Sequence, residues 1–102
     1  SYGYYQEYID GEDVESYSMI VAAPSVVELA TGETETIKVY GAKGSLYAKS
    51  EVTGATFATE DTQYFTVDAS TGKISPVSAG TGTVTVTYKG LTTTVDVEIT
   101  GE

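Results

Sequence analysis

The sequence predicts an all-β protein, a sandwich or barrel of short strands. Three observations carry that prediction. Apolar and polar residues alternate with period two along the C-terminal four-fifths of the chain. Turn signals recur about every ten residues, at Thr31-Gly32, Gly41 to Gly44, Gly54, Gly72, Gly80 to Gly82 and Gly90. All seventeen threonines lie at or after Thr31, so a β-branched body follows a differently composed start. No stretch of the body sustains a 3.6-residue period. At 102 residues the chain is one domain, large enough for a single core.

Taken in order, residues 1–20 read as an acidic, tyrosine-rich arm and residues 21–102 as the body. The arm holds five of nine tyrosines, and residues 1–35 carry eight acids and no base. Tyr4, Tyr5, Tyr8 and Ile9 fit one helical turn, which Gly11 and the acidic run cut short. Tyr17 to Val21 reads as a first strand entering the body, with Pro24 as a break between two halves of an edge strand. Val27 and Leu29 share a face across Glu28. Ile37 and Val39 alternate with Thr36, Lys38 and Tyr40, and Phe65 and Val67 flank Thr66. Ser70-Thr71-Gly72-Lys73 is a turn leading to Ile74. In the last pair of strands, Val84, Val86 and Tyr88 alternate with threonines, Lys89-Gly90 connects, and Leu91, Thr93, Val95, Val97 and Ile99 alternate with Thr92, Thr94, Asp96 and Glu98. A two-residue loop sets Tyr88 opposite Leu91, Val86 opposite Thr93 and Val84 opposite Val95, which keeps the apolar sets together. The expected core is Leu29, Ile37, Val39, Phe57, Phe65, Val67, Ile74, Val84, Val86, Val95 and Val97.

Composition removes whole classes of function. Fifteen acids against five lysines give a net charge of −10. Such a surface repels phosphate, which argues against nucleic acid and anionic membranes as partners. The chain has no Cys, His, Trp, Arg or Asn. Thiolate or imidazole zinc sites, Cys or His nucleophiles and a Ser-His-Asp triad are therefore excluded, as are disulfides and N-glycosylation. No apolar run approaches the ~18 residues of a membrane-spanning helix, so no membrane insertion is expected. A start at Ser1 reads as a processed product or an excised piece.

The remaining candidates for chemistry are few. Glu60-Asp61 places two carboxylates together, but strand neighbours face opposite ways, which suits a solvated loop better than an acid–base pair. Asp10, Glu12, Asp13 and Glu15 form a dense acidic run that could hold calcium, yet Val14 stands where an EF-hand needs a ligand. Gly80-Thr81-Gly82 lacks the following helix of a phosphate loop and reads as a tight turn. Lys38 points outward, away from the buried site an isopeptide bond requires. Tyr40 and Tyr47 offer faces for sugar or caps for the ends of the fold. No cofactor, metal ligand set or catalytic residue is expected.

The arm carries the contact prediction. Tyr2, Tyr4, Tyr5, Tyr8 and Ile9 are the expected assembly residues, docking on a neighbouring subunit, for example as a strand added to its sheet edge. The competing reading folds the arm back as an extra edge strand of its own domain.

The stretch from Pro24 to Thr100 resembles the bacterial immunoglobulin-like domain, group 2. The most specific piece is Gly72-Lys73-Ile74-Ser75 followed by Val77-Ser78-Ala79-Gly80-Thr81-Gly82-Thr83-Val84-Thr85-Val86-Thr87-Tyr88. Ile37-Lys38-Val39-Tyr40-Gly41 and Val52 to Phe57 resemble further strands, with Phe57 where that family usually has Trp. The resemblance implies an immunoglobulin-like Greek-key β-sandwich of about seven strands, here with an N-terminal arm. It also implies a setting outside the cell, on a bacterial surface or a phage virion, and no catalytic site. The expected function is a non-enzymatic structural and interaction module whose partners are other protein subunits, most simply its own copies. The alternative is an adhesion domain that binds a host receptor or carbohydrate.

Overall fold

A computed structural model describes residues 17–43 and 49–101. Within them the chain is all-β, with ten strand segments and no helix. The segments are β1 (Met19–Ala23), β2 (Val26–Leu29), β3 (Glu35–Thr36), β4 (Lys38–Ala42), β5 (Lys49–Glu51), β6 (Thr56–Thr59), β7 (Phe65–Val67), β8 (Lys73–Pro76), β9 (Gly80–Tyr88) and β10 (Leu91–Ile99).

They assemble into sheets of order β1-β4-β5, β2-β10-β9-β6 and β3-β8-β7. Only Ile37 separates β3 from β4, and its N–H donates to the Gly72 carbonyl at 3.1 Å. The two smaller sheets are therefore stitched at the middle of one nearly continuous strand. Pro24 divides the first edge as its missing donor requires. Before it, β1 pairs antiparallel with β4; after it, β2 crosses to pair in parallel with β10.

The β9–β10 hairpin has the register its alternation demands, with Leu91 opposite Tyr88, Thr93 opposite Val86 and Val95 opposite Val84. Lys89 and Gly90 both have positive φ, 49° and 83°, the mirror-image turn whose twist matches the strands it joins.

One core serves all three sheets. Phe65, Ile74, Val84, Val86 and Val95 are fully buried, with Leu29, Ile37, Val39, Phe57 and Val97 close behind. Ile20, Val27, Ala55, Tyr88 and Ile99 complete the cluster. Val67 departs from expectation: it packs against the core but is only half-buried, because β7 is three residues long and lies at a sheet edge.

Two further expectations need correction. Gly80-Thr81-Gly82 is no tight turn; it is the first third of β9, paired with Ile99, Glu98 and Val97. A boundary between residues 20 and 21 would cut β1, whose Ile20 is buried. Tyr17 belongs to the body as well, since its ring packs against the core.

Candidate functional site

The expected assembly residues Tyr2, Tyr4, Tyr5, Tyr8 and Ile9 lie outside the described residues, as does the acidic run Asp10 to Glu15. Tyr47 lies outside them too. The site must therefore be built from the surfaces and ends of the body.

Two tyrosines close the ends, and each does so over a glycine. Tyr17 lies flat on Gly41 and meets the Tyr88 ring with centroids 6.5 Å apart and planes tilted by 49°. The Ser18 N–H donates to the Ala42 carbonyl at 2.9 Å and so holds Tyr17 there. At the opposite end the Tyr64 ring covers Gly80. The loop holding Tyr64 is pinned from both sides. The Val77 N–H donates to the Tyr64 carbonyl at 2.8 Å, and the Ser78 hydroxyl donates to the Gln63 carbonyl at 2.7 Å. Tyr40 caps no end. It sits half-buried in β4, with the Lys49 ammonium 5.8 Å from its ring centroid.

Asp61 is tied into the backbone around it. Asp61 Oδ2 accepts from the Thr83 N–H at 2.9 Å, and the Asp61 N–H donates to Thr59 Oγ1 at 3.0 Å. The Asp61 carbonyl then accepts from Tyr64 N–H at 3.0 Å. These bonds fix the crossing from β6 to β7 against β9. Gly82 is needed there, since a methyl would stand 2.5 Å from Asp61 Cβ. Glu60 stays exposed beside it.

The sequence reading missed Asp68. Its Oδ1 accepts from the N–H groups of Ser70 and Thr71, both at 2.8 Å, and its carbonyl from Gly72 N–H at 2.9 Å. The Thr71 and Ser70 N–H groups favour the charged carboxylate and hold its pKa below the ordinary value. The pattern Asp-x-Ser-Thr-Gly was the available signal, an Asx turn closing the β7–β8 hairpin.

The sheet β2-β10-β9-β6 has four strands, the most of the three sheets, and presents an open outer face. Thr81, Thr83, Thr85 and Thr87 of β9 lie beside Glu98, Asp96, Thr94 and Thr92 of β10. Val26 and Glu28 extend the rows on one side, and Ala58 and Thr56 on the other. Among the described residues no aromatic ring stands on this face, so its own strands supply no ring for stacking on sugar. On the face of β4, Tyr40 stands between Val21 and Glu51 as a single ring. Lys38 projects outward opposite Ala23, as its alternation predicts.

No group of three or more metal-ligating side chains converges among the described residues. No helix there is long and apolar enough to cross a membrane. What stands out is electrostatic. Glu28 and Glu98 are direct partners across the parallel β2–β10 pair, both exposed, with Asp96 two residues along. Like charges placed directly opposite destabilise a sheet.

No family model matches the sequence, and no curated protein matches it. Solved structures do match in shape. Domains 4 and 5 of the S-layer protein SbsC align with a TM-score of 0.62 and 20% identity over 81% of this chain and 51% of that one. Domains 5–6 of the same protein give 0.61 and 21% over 79% of this chain and 42% of that one. The six-domain structure gives 0.62 and 20% over 82% of this chain, and this chain spans only 13% of its length. The described body is thus similar in fold to one β-rich domain of a multidomain surface-layer protein.

Proposed function

We propose that this chain is a non-enzymatic structural module of an extracellular surface assembly, built to contact further copies of itself. The observation that carries the reading is the likeness of four-fifths of the chain to S-layer protein domains. Two features support it. The candidate carboxylates of the body are engaged in holding loops or spread over an open sheet face, not gathered in a cleft. The sheets also end in short edges, β2 and β6 on one and β1 and β5 on another, which can take up a further strand. We further propose that the body is a bacterial immunoglobulin-like domain of group 2. The broken first strand that serves two sheets, and the long β9–β10 hairpin, both suit that assignment.

In this reading Tyr2, Tyr4, Tyr5, Tyr8 and Ile9 contact a neighbouring subunit. The neighbours in shape are surface-layer proteins, which favours the surface of a cell over a virion. The test is the mass of the whole chain in solution as concentration rises, with electron microscopy of what forms. Ordered assemblies support the reading. A monomer at every concentration refutes it.

A further inference from the structure

We propose that copies dock head to tail, the lysine-bearing end of one seated on the carboxylate-bearing sheet face of the next. This rests on the assembly reading above and adds to it a surface, a direction and a partner.

The strand register places the two surfaces at opposite ends of one body. Lys49 stands opposite Ala42, and Lys43 follows it in the chain. Tyr17, held at Ala42, touches Tyr88, which brings the Lys89 turn to the same end. From there β10 runs away through nine residues, about 27 Å of extended chain, to Ile99. Near that far end lie Asp96, Glu98 and its partner Glu28. None of β2, β9 and β10 contains a lysine, so these carboxylates have no cationic side chain in their own or adjoining rows.

The carboxylate face also has the shape a lysine takes. A shallow groove there is lined by Val26, Thr83, Asp96, Val97 and Glu98. Val26 is 61% exposed and gives the groove an apolar side. An apolar wall beside carboxylates suits a methylene stem that ends in an ammonium. The second copy supplies such groups at its other end. A contact between unlike surfaces at opposite ends is not satisfied by two copies facing each other; it repeats from copy to copy, along a row or around a ring. Docking there also relieves the repulsion between Glu28 and Glu98.

The experiment uses the full chain as an equimolar mixture of ¹⁴N and ¹⁵N copies and a carbodiimide, which joins amine to carboxylate without a spacer. Within one copy Lys89 and Glu98 are separated by most of the length of β10, so a bond between them reports a neighbour. Expected are mixed-isotope links from Lys49 and Lys89 to Asp96 and Glu98. They should fall at least ~10-fold between about 0.01 M and about 1 M salt, as the screening length shrinks from about 30 Å to about 3 Å. The variants K49E/K89E and E28K/E98K, each checked for native circular dichroism, should each lose association ~10-fold or more, and mixing them should restore it. If the chain assembles without these links and ignores both charge reversals, head-to-tail docking falls while the assembly reading stands. If it never assembles, both fall. Links confined to one copy and running to Glu12, Asp13 or Glu15 would assign the lysine end to the chain's own arm and overturn the inference.

Discussion

Removing residues 1–16 and removing residues 1–20 should have very different consequences, although the two chains differ by only four residues. The shorter deletion leaves every described strand and both end-closing tyrosines in place. It removes none of the described core contacts, so the chain that remains should still fold cooperatively. The longer one removes Tyr17, the two Ser18 bonds to the Ala42 carbonyl, exposed Met19 and buried Ile20. Ile20, at 3% exposure, is worth about 2–3 kcal/mol by burial. Half-buried Tyr17 adds about 2 kcal/mol with its ring contact to Tyr88. The Ser18 backbone bond adds about 1 kcal/mol. The loss is about 5–6 kcal/mol, against a total of about 4–13 kcal/mol for a body of this size. Urea unfolding followed by far-ultraviolet circular dichroism measures both. The 1–16 deletion should unfold in one cooperative transition, and the 1–20 deletion should unfold at much lower urea than it or never fold. Equal midpoints for the two would refute the assignment of Tyr17 and Ile20 to the core.

Other expectations follow from the same contacts. Gly41→Ala should cost about 1–3 kcal/mol because its methyl overlaps the Tyr17 ring, and adding Tyr17→Ala should remove most of that extra cost in a double-mutant cycle. Phe65→Ala should cost about 3–5 kcal/mol, while Val67→Ala at the half-buried position should cost under about 1.5 kcal/mol; similar losses would show that β7 is buried as a whole. The Asp68 carboxyl, titrated by NMR, should ionise below the ordinary carboxylate value, because the Thr71 and Ser70 N–H groups favour its charged form. Its folded pKa is depressed, so its charge-dependent contribution is present above about pH 3.9 and is lost as pH falls through the folded value. Asp68→Ala should lower the unfolding midpoint at pH 7 by more than at pH 3; an equal effect at both would refute the charge argument.

The sequence shows some of this plainly and hides the rest for physical reasons. The β9–β10 hairpin is legible because its loop is two residues long and its alternation admits one register. Ten of the eleven expected core residues are buried, since period two leaves little choice of face. The roles of the glycines are not legible. Gly41, Gly80 and Gly82 read locally as turns, yet all three lie in strands. What selects them is a ring or carboxylate arriving from a distant segment, Tyr17, Tyr64 or Asp61, and no local window contains both partners. Tyr17 carries two readings in the sequence, counted with the arm by composition and with the first strand by pattern, and its packing agrees with the strand. The facing glutamates, Glu28 and Glu98, are seventy residues apart and meet only because β2 runs parallel to the last strand.

That parallel pairing also decides how the body carries load. The chain enters at the end where Tyr17 sits, and β10 leaves at the other. Pulling these two ends apart drags β2 and β10 in opposite directions along their common axis. Their ladder from Val26–Asp96 to Leu29–Ile99 is then strained sideways, every bond at once, and cannot be peeled open one bond at a time. A module linked in a row through its two ends would in this way meet tension with its most cooperative set of bonds. The same four residue pairs would be far weaker against a force applied across the sheet.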